Sequence, residues 1–184
     1  MRYCYTLLNL LILLSIFAFA NGQSYTSGYP NITDVTSSGG RAVTNTTSND
    51  YDTYYIIQSD GVAAPTIRQV KRGEDGTGTA AVVSGSFWGS ASGTEFFENF
   101  TGLNSSTNYD AYFVTYDWNT ATDIETTTPT LVSFITASAP PAITSYLPLQ
   151  DAVDVALDDA LTLTFDKDIQ FGAGPQVIRI RRVS

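Results

Sequence analysis

Between residues 29 and 136 the chain alternates apolar or aromatic side chains with polar ones, in short stretches rich in Thr, Val, Ile, Tyr and Phe. A period of two sets every second side chain on one face, which suits a half-buried β-strand and not an amphipathic helix. The stretches fall at residues 32–37, 41–47, 53–58, 81–88, 94–100, 109–116 and 131–136. Turn-forming residues separate them: Gly39-Gly40, Asp60-Gly61, residues 73–78, 89–93 and 104–107. About seven short strands with frequent turns predict an all-β, antiparallel sandwich.

One interruption reads as helical. Pro65 stands near its start, Gly73 at its end, and Ile67 and Val70 are spaced to rest together on the sandwich. A helix of about two turns would depend wholly on that packing. The stretch around 94–103 poses a conflict, because a regular strand aligns Glu98 with Phe96 and Phe100 and turns a carboxylate inward. A bulge between Phe97 and Phe100 is expected to return Glu98 to water.

Residues 1–20 have the make-up of a secretory signal peptide: Arg2, an apolar run over 7–19, and Ala18-Phe19-Ala20 as a small-x-small cleavage site. The apolar run is roughly a dozen residues, short of the ~20 that span a bilayer. An uncleaved anchor is the competing reading. Cleavage removes Cys4, the only cysteine, and the chain has no histidine. The remainder then has no disulfide, no thiol nucleophile, and neither the commonest general base nor the commonest zinc ligand. A short lead, 21–28, precedes the sandwich at 29–138.

The formal charge of −9 disfavours nucleic acid, whose binding rests on neutralising phosphates, and no partner of that kind is expected. Direct insertion into a membrane is not expected after signal cleavage either.

The sequence Gly102-Leu103-Asn104-Ser105-Ser106-Thr107-Asn108-Tyr109 has the Leu and Tyr spacing of a tyrosine corner, in which a buried hydroxyl bonds back to upstream backbone. In the following strand Tyr109, Ala111 and Phe113 should face the core, and Asp110, Tyr112 and Val114 the other side. Together with Tyr54-Tyr55-Ile56-Ile57, Ala64-Pro65-Thr66 and Val132-Ser133-Phe134-Ile135-Thr136, this motif resembles a fibronectin type III-like module of bacterial secreted proteins. It departs from that pattern in having Asn104 where proline is common.

After Ala139-Pro140-Pro141, a stiff joint, a second β-pattern begins. Its elements are Ile143-Thr144-Ser145-Tyr146-Leu147, Asp151-Ala152-Val153-Asp154-Val155 and Leu161-Thr162-Leu163-Thr164-Phe165-Asp166. This resembles the opening of a bacterial Ig-like domain of the SbsA surface-layer type. Residues 139–184 would hold about three strands, the last near 177–180, too few to offset chain entropy. The expectation is an incomplete Ig-like β-domain at the front of a longer modular protein. The resemblance implies extracellular structural or adhesive modules and brings no shared catalytic residues.

No residue carries a catalytic, cofactor-binding or metal-binding assignment, and no cofactor is expected. Asp151, Asp154, Asp158, Asp159, Asp166 and Asp168 could hold calcium, but solvated loop charge is the preferred reading. Nothing places a carboxylate pair across a cleft for glycoside hydrolysis. Trp88, Trp118, Tyr112 and Tyr116 could form a platform for a sugar, although tryptophans filling the core or covering its ends is the preferred reading. Triplets at Asn31, Asn45, Asn99 and Asn104 fit the glycosylation pattern and are expected by chance in so Thr/Ser/Asn-rich a chain. The chain is thus expected to be a secreted or cell-surface, non-catalytic spacer or adhesion scaffold. Its partners would be other surface proteins or extracellular glycans. The alternatives are an accessory region of a secreted hydrolase whose catalytic domain lies beyond Ser184, and a carbohydrate-binding module.

Overall fold

The computed structural model describes residues 25–123, 128–149, 151–156 and 158–169. The signal segment at 1–20, part of the 21–28 lead and the strand expected near 177–180 lie outside the described residues. The chain divides into two compact units that meet between Ser138 and Ala139.

The first unit is a sandwich of antiparallel sheets. β1 (Asn31–Thr33), β2 (Gly39–Asn45) and β5 (Glu95–Thr101) form one sheet in the order β1-β2-β5. In the other, β4 (Val83–Phe87), β3 (Tyr51–Ser59) and β6 (Asn108–Asp117) lie side by side. The far edge of β6 is shared by β7 (Thr122–Asp123), opposite Tyr116 and Asp117, and β8 (Thr130–Ile135), opposite Asn108 to Phe113. All seven expected strands are present. A helix, α1 (Ile67–Lys71), connects β3 to β4.

The period-two pattern explains the layering. Tyr55 and Ile57 of β3, and Tyr109, Ala111 and Phe113 of β6, point between the sheets to meet Ile32, Ala42 and Phe100. Rings dominate this core: Phe87, Tyr55 and Phe113 follow one another at 5.6 and 5.7 Å between centroids. Ile56, Tyr112 and Val114 point to the opposite face, where Val70 of α1 covers them. The central strands are therefore buried on both faces, which is why Tyr54-Tyr55-Ile56-Ile57 and Ala111-Tyr112-Phe113-Val114 read as almost unbroken apolar runs.

α1 has five residues and is held at both ends. Thr66 caps its start: the Thr66 hydroxyl accepts the Gln69 N–H at 3.3 Å, and the Gln69 side-chain oxygen accepts the Thr66 N–H at 2.8 Å. At the other end Gly73 takes φ +70°. Its N–H reaches the Val70 carbonyl at 3.0 Å, while that of Glu74 reaches Gln69 at 2.9 Å. This is a Schellman closure, which needs the left-handed conformation that glycine adopts most cheaply.

Tyr109 is buried, and its hydroxyl accepts the Asn104 N–H at 3.0 Å. The residue that departs from the usual proline supplies this donor, which a proline would lack.

The bulge expected beside Glu98 requires a correction. β5 pairs with β2 in unbroken register from Gly39 opposite Thr101 to Asn45 opposite Glu95, so the strand has no bulge. Glu98 is nevertheless exposed, as expected, while its carboxylate accepts the Tyr55 hydroxyl at 3.1 Å. Gly85 makes this possible, because a Cβ there would stand 2.4 Å from the Glu98 carboxylate and 2.5 Å from the Tyr55 ring. Burial, with the Glu98 charge adding to it, holds the Tyr55 hydroxyl far above the ordinary phenol range.

The second unit contains a hairpin of β9 (Ile143–Leu147) and β10 (Thr162–Phe165), with a register shift between Thr164 and Phe165. Leu163 and Phe165 are half-buried while Thr162 and Thr164 are exposed, as alternation predicts. None of its described residues is fully buried, and Leu149 and Val153 are 68% and 83% exposed. That contrasts with the filled core of the first unit.

Candidate functional site

The outer face of the β4-β3-β6 sheet carries a row of aromatic rings beside α1. Side chains on alternate positions of β3 and β6 emerge here. Ile56, Tyr112 and Val114 disappear under the helix, whereas Tyr54 and Tyr116 remain at its margin. Trp88, one residue past β4, stands edge-on to Tyr54 with centroids 5.9 Å apart. Trp118, one residue past β6, stands edge-on to Tyr116 at 5.3 Å. Between these pairs lies the Lys71 ammonium, 4.3 Å from the centre of the Tyr116 ring and 5.7 Å from that of Tyr54.

The core-filling half of the preferred reading for the tryptophans is thereby corrected, while both do stand at strand ends. Trp88 is 65% exposed and Trp118 57%, so neither fills the core. Phenylalanines and tyrosines already occupy the space between the sheets, and both tryptophans follow strand ends with outward parity. Tyr112 does not belong to the row; it is buried beneath α1.

The row is fixed from below. Asp52 is buried on the same face, and its carboxylate accepts both the Gly89 N–H at 2.8 Å and the indole N–H of Trp118. One carboxylate thus ties the loop after β4 to the end of β6. An exposed ring held in one orientation loses little freedom when a ligand stacks on it. Beside the row a shallow cleft of about 250 Å³ opens between the end of α1 and β4, lined by Tyr54, Lys71, Ser84 and Ser86 among others.

Several other carboxylates are engaged within the fold. Asp110 accepts the Ser133 hydroxyl at 2.6 Å. Asp75 collects hydrogen bonds from the amides and hydroxyls of Thr77 and Thr79 at 2.6–3.2 Å. The Thr77 hydroxyl leads in pulling its pKa down to about 2. In the second unit Asp166 accepts the Ala142 N–H at 2.8 Å and Asp159 that of Ala156 at 3.1 Å. Among the described residues, no group of three or more carboxylates converges as a metal site would require, and no helix is long and apolar enough to cross a membrane.

No family model and no curated protein matches this chain. Among solved structures it is similar to the sensor domain of the anti-sigma factor RsgI4 from Pseudobacteroides cellulosolvens, with a TM-score of 0.33 and 11% identity over 61% of this chain and 100% of that one. A likeness at that distance bears on neither fold nor role.

Two features escaped the sequence reading. The Thr66-x-x-Gln69 spacing is a readable capping signature. The position of Lys71 within the ring row had no local signal, since it depends on how α1 lies across two strands distant in sequence.

Proposed function

We propose that this chain is a non-catalytic, exported adhesion module whose first unit attaches to carbohydrate through the outer aromatic face. One observation carries the reading: two exposed indoles, each packed on a tyrosine, lie on a sheet rigidified on both sides. Aromatic faces at a wet surface suit the apolar faces of pyranose rings, and their polar edges remain solvated.

The fibronectin type III-like assignment draws support from the three-stranded sheet facing β4-β3-β6-β8 and from the Tyr109 corner. The SbsA-like reading of the second unit rests on its sequence pattern. Export is supported by the make-up of residues 1–20. The non-catalytic reading is supported by the buried carboxylates Asp52 and Asp110, both committed to hydrogen bonds within the fold.

Titration of the mature chain with a panel of neutral and acidic oligosaccharides, followed by tryptophan fluorescence, tests the proposal. Quenching or a blue shift is expected in the native chain, and binding heat measured by calorimetry is expected to be lost in the doubly substituted Trp88→Ala, Trp118→Ala chain, which keeps no tryptophan to report by fluorescence. A flat response across the panel removes the carbohydrate reading and leaves a plain spacer.

A further inference from the structure

We infer that β8 is a docking edge for a second copy of this chain, the two β8 strands pairing antiparallel about a two-fold axis at Ser133. This holds whether or not the outer face takes carbohydrate. Among the described residues β8 has one partner strand, β6, in unbroken register from Thr130 opposite Phe113 to Ile135 opposite Asn108. The Thr136 N–H reaches the Thr107 carbonyl on the β6 side at 3.1 Å, whereas the Ala137 N–H turns away from β6, to the Thr36 carbonyl at 3.0 Å. Backbone groups alternate in this way along an antiparallel strand. Leu131, Ser133 and Ile135 therefore direct their N–H and C=O groups to the open side.

An open edge is a template for pairing, and proteins ordinarily blunt it with charge, brevity or a bulge. The other edges of the first unit are blunted. β1 and β7 have three and two residues, β5 carries Glu95 and Glu98, and the Glu98 carboxylate lies against Gly85 of β4. β8 has no such guard. Its register is regular, and no charged residue occurs from 126 to 150 in a chain of net charge −9. Leu131 and Ile135 are 49% and 59% exposed on it.

The symmetry of the segment selects a second copy as the partner. Outward from Ser133 the residues match in kind: Val132 with Phe134, Leu131 with Ile135, Thr130 with Thr136. Two identical strands centred on Ser133 set each residue opposite its counterpart in the second copy, Leu131 against Ile135 on one face and Val132 against Phe134 on the other. The backbone parity agrees, because 131, 133 and 135 then meet 135, 133 and 131 of the second copy with donors and acceptors matched. The ends agree as well. Pro129 and Ala137 oppose each other next in that register; proline has no N–H and that of Ala137 is spent on Thr36, so the ladder stops where both copies run out of donors. Side chains opposite each other across a ladder share a face, so the two aromatic rows look out from the same side of the joined sheet.

Sedimentation equilibrium of the mature chain over a concentration series tests the pairing. One strand pair is a small interface, so a monomer–dimer midpoint of roughly 10–100 µM is expected. Leu131→Glu or Ile135→Lys alone should weaken association by at least about tenfold, because each sets a charge against an apolar residue. The doubly substituted Leu131→Glu, Ile135→Lys chain should dimerise again, since the Ser133-centred register brings 131 of one copy against 135 of the other as opposite charges. Within one strand the two positions stand about 13 Å apart and do not pair. In the native chain the amides of Leu131, Ser133 and Ile135 should exchange more slowly at high concentration than at low. A native chain that stays monomeric up to about 1 mM, association untouched by either single substitution, or a double variant that melts like the native chain yet stays monomeric overturns the inference. Where a variant melts early, the exchange comparison on the native chain decides alone, and protection of those three amides that is independent of concentration overturns the pairing.

Discussion

At Tyr109 one hydroxyl ties the start of β6 to the chain five residues upstream, through the Asn104 N–H. Tyr109→Phe keeps the ring in the core and removes the acceptor, so a loss of about 1–2 kcal/mol is expected by urea denaturation, with an unchanged slope. Asp75 gives a pH-dependent counterpart. Its pKa is depressed in the fold, so the loop ordering it provides is complete above the ordinary carboxylate range and is lost as pH falls through about 2. Titration of its carboxyl carbon by NMR should show a midpoint well below that of a free aspartate, and Asp75→Asn should remove the acid-induced change in the neighbouring Thr77 and Thr79 amides. Both side chains act through contacts close in sequence, and only the tyrosine corner was recognised from its motif.

The elements differ in how legible they were. β6 was readable in detail because strict alternation sets Tyr109, Ala111 and Phe113 on one face and Tyr112 and Val114 on the other. β5 misled only in its regularity: it runs without a bulge and still leaves Glu98 exposed, its carboxylate meeting the Tyr55 hydroxyl beside Gly85, partners on β3 and β4 that lie far from it in sequence. α1 depends on its caps and on one buried side chain. Val70→Ala should destabilise the first unit by about 1–3 kcal/mol through the cavity left over Ile56, Tyr112 and Val114. Thr66→Ala should cost about 1 kcal/mol through the lost cap. Thermal melts of the two variants would check the ranking; a larger effect at Thr66 would mean that capping, and not packing, holds the helix.

For the whole molecule, unequal burial predicts unequal protection. Native-state hydrogen exchange should find the slowest amides in β3 and β6, the strands buried on both faces, with β9 and β10 exchanging at least about a hundredfold faster. Comparable protection in β10 and β6 would contradict the exposure of the second unit. The sequence by itself determined the all-β class, the seven strands of the sandwich, the helix and the inward parity of β6. These follow from local periodicity and turn chemistry, which act over a few residues. Only the tertiary structure decided that the tryptophans stand outside, that Glu98 reaches a buried tyrosine, and that Lys71 sits among the rings. Each depends on side chains brought together from separate strands, and the space left between sheets is a property of their joint packing, which no single segment encodes.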